Sequence, residues 1–230
     1  TGDPGKGPKG WLRWFLTTER SGPRFVRDFV SSVLAVLLVG ALLFGVSGVW
    51  PPMVAVESGS MEPHMHRGDL VFVMDEHRLV PQRATGDTGV VTYRSAAEGT
   101  YRQFGDFGDV IVYRPDGGGG TPIIHRARFW VNQSENWYSK ADPAWVTGGT
   151  CDEIANCPAP HAGFITKGDN NGLYDQVSGI SGPVRPRWIR GTAELRIPWL
   201  GYVRLHFGSI RAAAVPAFPD GSWSTRAATG

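Results

Sequence analysis

Between Phe29 and Val56 the chain carries no charged residue, and its apolar heart is Phe29 to Trp50. A stretch of that length rises ~33 Å as a helix, enough to cross the hydrocarbon core of a bilayer. It divides the chain into a short part on one side of a membrane and a long part on the other. Residues 1–28 hold six basic residues (Lys6, Lys9, Arg13, Arg20, Arg24 and Arg27) against Asp3, Glu19 and Asp28, whereas the rest of the chain is almost balanced, 17 basic against 18 acidic. Only Arg67 stands close behind the span, so the basic flank is expected in the cytoplasm and the bulk of the chain outside. Arg24 and Arg27 also resemble the n-region of a cleaved signal peptide, but an h-region is only ~7–15 residues long, so an anchor is the better reading. The expected division is a basic cytoplasmic tail (1–28), a transmembrane anchor (29–50), an extracytoplasmic domain (51–208) and a flexible C-terminal tail (209–230). Pro51-Pro52 is expected to stop the helix. The Gly/Pro/Lys-rich start, Thr1 to Gly10, is expected to be disordered.

Beyond the span the signals are of strands. Asp69–Met74, Val110–Tyr113, Ile123–Trp130 and Gly163–Thr166 are β-branched or aromatic and bounded by Gly, Asp and Pro. Ile189 to Leu205 reads as two further strands bent at Pro198 and Gly201. The expected fold is mainly β, preceded by one transmembrane helix, with long irregular insertions at Asp75–Gly108 and Val131–Ala162. Within the second insertion Cys151 and Cys157 are candidates for a local disulfide outside the cytoplasm. Asn132-Gln133-Ser134 has the form of an N-glycosylation acceptor, a short pattern of low specificity. Two thiols without further ligands give no metal site, and no cofactor is expected.

Chemistry needs a nucleophile, a base and something to orient the base. In Ser58-Gly59-Ser60-Met61-Glu62-Pro63, Gly59 permits a tight turn before the serine and Pro63 fixes the turn after it, so the Ser60 hydroxyl is presented rigidly. Taken alone, such a turn is usually just a loop. Of the six histidines, His125 is the sharpest base candidate, because it interrupts the apolar run Ile123-Ile124-His125-Arg126. A neutral imidazole with a pKa near ~6.5 accepts a serine proton at neutral pH, while a lone strand histidine is by default a core residue bonded to backbone. His64 and His66 make a His-x-His pair without further ligands and read as loop residues. The run Lys167–Asp175 is rich in Asx and Gly and reads first as turns. Its two carboxylates, Asp169 and Asp175, are also candidates to orient an imidazole.

Taken in order, Ser58–Pro63 with Arg67-Gly68-Asp69, then Gly108–Tyr113, Ile124-His125-Arg126, Lys167–Asn171 and Ile197–Val203 closely resemble the boxes of the type I signal peptidases over residues 29–207. The ordered set carries the resemblance, since single boxes are weak. The bacterial branch of that family has lysine where His125 stands. Histidine there resembles the archaeal and endoplasmic-reticulum branch, which implies a Ser-His mechanism assisted by aspartate. By that resemblance Ser60 is the nucleophile and His125 the general base, with Asp175 the better partner for His125 and Asp169 supporting the site. Ser58 lies where the family places an oxyanion-hole hydroxyl, a donor of a kind worth ~2.7–4 kcal/mol in the transition state.

The resemblance implies a single-pass serine endopeptidase of the cell membrane, with preprotein signal peptides, the lipid bilayer and the protein-export channel as partners and no nucleic acid. A non-catalytic anchored β-domain acting as a binding or scaffold subunit is the alternative from another class. A self-cleaving repressor-type protease shares a related β fold, but it needs a DNA-binding headpiece, and a basic tail followed by a bilayer span is not one.

Overall fold

A computed structural model describes residues 7–206. The flexible tail expected at 209–230 and the first six residues lie outside the described part. Near the start, Pro8–Thr17 forms helix α1, opened by proline at its first turn, so an ordered helix begins inside the segment expected to be disordered. Helix α2, Ser21–Ser47, comes next. Its 27 residues span about 40 Å. Its most apolar stretch has a mean hydropathy of 2.6 and is 0% buried, so this helix is long and apolar enough to cross a membrane and presents its apolar surface outward. It starts before the uncharged run and takes in Arg24, Arg27 and Asp28. It also ends earlier than the prolines suggest. Gly48 adopts a left-handed conformation (φ 77°) and its N–H closes on the Phe44 carbonyl, the usual way a glycine terminates a helix.

The rest is built on a six-stranded antiparallel sheet in the order β1-β2-β8-β5-β6-β7. Its strands are β1 (Met53–Ala55), β2 (Leu70–Met74), β5 (Val110–Tyr113), β6 (Ile123–Val131), β7 (Gly163–Lys167) and β8 (Ile189–Ile197). A short helix α3 (Tyr93–Ala97) and the hairpin β3 (Arg102–Gln103) and β4 (Asp106–Phe107) interrupt the connection from β2 to β5. The domain after the helix is therefore mainly β, and the strands β5 and β7 are buried along their whole length, as their continuous apolar runs require.

One expectation needs amendment. Only the first of the two strands expected in Ile189–Leu205 forms; after a tight turn at Pro198–Trp199, residues 201–206 are helical. The turn is held by Asp69 Oδ1, which accepts from the Trp199 N–H, and the Tyr202 ring lies over Gly68. This packing draws the segment out of line with the sheet. The insertion 131–162 is irregular after Val131, as expected, and it is well packed. Trp137, fully buried, packs with Phe129, Ile154 and Tyr174 in a cluster of its own and donates its indole N–H to the Asn156 carbonyl. Cys151 and Cys157 are joined in a disulfide that closes part of this cluster.

Asp109, at the entrance to β5, is buried and accepts from the Val91 N–H (2.7 Å) and the Tyr101 hydroxyl (2.6 Å). Burial pushes its pKa up to about 6, against the pull of those two bonds. A carboxyl raised above its unfolded value of ~3.9 binds more protons in the folded state, so its contribution to stability falls as pH rises from 4 through 6. Asparagine fits the same place, its carbonyl accepting from Val91 and its amide facing Tyr101, and carries no charge. Asp109→Asn is therefore expected to be more stable than the wild type at pH 8, by about 2 kcal/mol. The gain should vanish near pH 4. Chemical denaturation at the two pH values checks this, and an equal effect at both would sink it.

Candidate active site

Ser60 sits in the connection between β1 and β2. The turn forms because Met61 and Met65, at 1% and 0% exposure, plug into the cluster of Val56, Val71, Val73, Val110 and Val112. Successive backbone bonds close it, from Glu62 N–H to Gly59 and from Met65 N–H to Met61. The loop after β7 grips it from the other side. Asn170 donates its backbone N–H to the Ser60 carbonyl (2.9 Å) and its amide to the Gly59 carbonyl (3.2 Å). A Cβ on Gly168 would lie 2.6 Å from the Ser60 carbonyl oxygen, so the approach of the two loops needs glycine there.

His125 lies on β6 opposite Ile111 of β5 and is 4% exposed. Its Nε2 is 3.0 Å from Ser60 Oγ and its Nδ1 is 2.7 Å from Asp175 Oδ2. With the ring proton on Nδ1, the imidazole donates to Asp175 and accepts from Ser60. Asp175 is fully buried. Its Oδ2 also accepts from the hydroxyls of Tyr113 (2.8 Å) and Thr166 (2.7 Å). Burial, followed by the Asp175 charge, pushes the Tyr113 phenol well above its ordinary range, so it stays a donor. Oδ1 of Asp175, also buried, has no hydrogen-bond partner among the described residues. A carboxylate charge so placed, in surroundings of low dielectric, acts strongly on the imidazole beside it.

The other aspartate does something different. Asp169 takes a two-pronged bond from the guanidinium of Arg126, 2.9 Å from Nε and 2.7 Å from Nη2, and bonds His64 Nδ1 at 2.8 Å. Burial works to raise its pKa, but the bonds and charge of Arg126, with His64, hold it below the ordinary carboxylate range. Arg126, 0% exposed, also donates through Nη1 to the carbonyls of Gln103, Phe107 and Gly108. Asp169 thus braces the loop that holds Ser60 and bonds Arg126 and His64, not His125.

Ser58 Oγ lies 3.1 Å from Ser60 Oγ. The Ser60 N–H makes no hydrogen bond among the described residues. Asn132 is exposed and tied to Glu135. Of the candidates read from the sequence, the structure brings Ser58, Ser60, His125 and Asp175 together and sets Asp169 against Arg126 and His64. Tyr113, Thr166 and Arg126 are not among those candidates, and His64 reads in sequence as a plain loop residue. The adjacency of Arg126 to His125, a cation buried in a strand, is the one sequence signal that points to a charge partner.

A serine hydroxyl on an imidazole, itself on a buried carboxylate, is the geometry of a serine hydrolase site, here on an antiparallel β-domain that follows an apolar helix. The chain is similar to the signal peptidase complex catalytic subunit SEC11C of Homo sapiens and of Mus musculus, 27% identical over 182 residues that make up 78% of this chain and 69% of theirs. It is likewise similar to the signal peptidase complex catalytic subunit SEC11 of Paracoccidioides lutzii, 27% identical over 157 residues, 67% of this chain and 65% of that one. No family model matches. Its relatives are thus catalytic subunits of the endoplasmic-reticulum type within the type I signal peptidases.

Proposed function

We propose that this chain is a membrane-anchored serine endopeptidase that removes N-terminal signal peptides from exported preproteins. The observation that carries the reading is a cleft of about 930 Å³ with Ser60 and His125 on its wall, which continues to Trp50 and Pro51 just past the end of α2. Val54, Ile123 and Ile124 are among the residues that line it, so an uncharged extended segment has apolar wall to lie against. The cut bond of a signal peptide lies just outside the bilayer, where a serine tethered by α2 meets it at high effective concentration. The surplus of cations ahead of α2 supports an N-terminus in the cytoplasm and a catalytic domain outside.

In this reading His125 takes the Ser60 proton as the oxygen attacks the scissile carbonyl, and Asp175 steadies the imidazolium that forms. The Ser60 N–H and the Ser58 hydroxyl face the developing oxyanion. His125 then gives the proton to the leaving amine, and water, activated by the same imidazole, releases the acyl group. Asp169 and Arg126 hold the nucleophile turn in place.

Purified chain in liposomes, given a preprotein with an intact signal peptide, is expected to cut it at one bond, after a small residue. If the folded wild type cuts nothing, either in liposomes or in membranes of the cells that make it, the chain is a non-catalytic anchored domain.

A further inference from the structure

The last four carbonyls of a helix have no partner within it, and at the edge of a bilayer they must find one. In α2 each is accounted for. Phe44 accepts from Gly48 N–H, Gly45 and Val46 accept from the Arg78 guanidinium at 2.6 and 3.2 Å, and Ser47 accepts from Asp75 N–H at 2.9 Å. Three of the four are therefore satisfied from the segment that follows β2, inside the β-domain. A cation at a helix C-terminus also complements the partial negative charge there.

Side-chain contacts reinforce the junction. Ser47 is 0% exposed and donates its hydroxyl to the Val73 carbonyl of β2 at 2.7 Å. Arg78 is itself placed by a turn, its N–H bonded to the Asp75 carbonyl at 3.0 Å. Gly48 leaves the guanidinium its room, since a Cβ there would lie 2.6 Å from Arg78 Nε. From this junction a stiff path leads to the nucleophile. β2 is bonded to β1 and β8, and the Ser60 turn fills the connection between β1 and β2.

We propose that Arg78 locks α2 to the β-domain and so fixes the height of the Ser60–His125 cleft over the bilayer, which makes it a positioning residue for the choice of scissile bond. The inference rests on the signal-peptide reading above. Without Arg78, α2 is held to the domain only at Ser47, by its hydroxyl on Val73 and its carbonyl on Asp75, and swings about that point, so the height of the cleft is set less sharply. Exposed apolar groups that adjoin the junction in sequence agree with this. Leu79 and Val80, next in the chain after Arg78, are 70% and 51% exposed, and Trp50 is 75% exposed with Phe44 against its edge. Exposed aromatic and aliphatic groups beside the end of a membrane helix match the interfacial zone of a bilayer.

The test compares two substrates on the full chain, a preprotein embedded in liposomes and a soluble peptide that spans the same cleavage site, assayed in detergent. Arg78→Gln is expected to lower kcat/KM on the embedded preprotein about tenfold and to spread the cuts over neighbouring bonds. The soluble peptide should be cut as by the wild type. Arg78→Lys, which keeps a cation for the carbonyls, is expected to restore part of the embedded activity and most of the single cut. Equal loss on both substrates would mean that Arg78 only stabilises the fold, and no loss on either would mean that the lock has no role; both overturn the proposal. A wild type that cuts neither substrate would instead defeat the signal-peptidase reading itself.

Discussion

Ser60→Ala and His125→Ala are each expected to lower turnover of an embedded preprotein about 10⁶-fold, and the double replacement to lower it no further. The reason is the single proton that must pass between Ser60 Oγ and His125 Nε2, now 3.0 Å apart. Removing either atom removes the same event, so the losses do not add. A residual acceleration of about 10³–10⁴ over water should survive, from the Ser60 N–H, the Ser58 hydroxyl and substrate binding. Ser58 takes no part in that proton transfer, so Ser58→Ala should lose only about 10²–10³ through its contact with the oxyanion. Single-turnover cleavage by the purified variants resolves these levels. If the Ser60 and His125 losses multiplied in the double variant, the two would be acting in separate steps and the proposed mechanism would fall.

Local features of this chain are readable because their causes are local. The apolar run, the Gly59–Ser60 turn and the β-branched strands each depend on a few neighbouring residues. The end of α2 falls earlier than Pro51-Pro52 suggests because Gly48 takes the left-handed conformation first (φ 77°), and its missing Cβ leaves the space that Arg78, distant in sequence, occupies. The stretch after Pro198 has strand-like composition, but its contacts with Gly68 and Asp69 override that preference and wind it into a helical turn. The insertion around Trp137 has no periodicity to read. Its order comes from the packing of Trp137 on Phe129 and Tyr174, residues the sequence keeps apart, beside the local Cys151–Cys157 link that the spacing does suggest. In the candidate site the separate boxes are legible, but their meeting is not. Ser60 and His125 are 65 residues apart and come together through the pairing of β2 with β8, β8 with β5 and β5 with β6, and through the hold of the loop after β7 on the Ser60 turn. The division of labour between the aspartates is set by two neighbours on β6. Successive strand side chains point apart, so His125 reaches Asp175 while Arg126 claims Asp169.

That division can be separated in solution. Asp175→Asn is expected to lower turnover about 10⁴-fold while the protein stays folded. At that position two orientations are open to the amide, and both fail. With its oxygen toward His125, Tyr113 and Thr166, all three donors are kept, but the negative charge that steadies the imidazolium is lost. With its nitrogen toward Nδ1, the ring must accept there and carry its proton on Nε2, where it can no longer take one from Ser60. Asp169→Asn loses the paired charge of Arg126, which is fully buried, so its main effect should be on stability and on the hold over the Ser60 turn. Because Asp169 does not touch the imidazole, Asp169→Asn should lose far less turnover per folded molecule than Asp175→Asn. Turnover per folded molecule, with melting curves for both proteins, decides the matter. Near-normal turnover for Asp175→Asn together with a loss of about 10⁴-fold for folded Asp169→Asn would exchange the two roles, and Asp175 would then be a core residue that holds Tyr113 and Thr166.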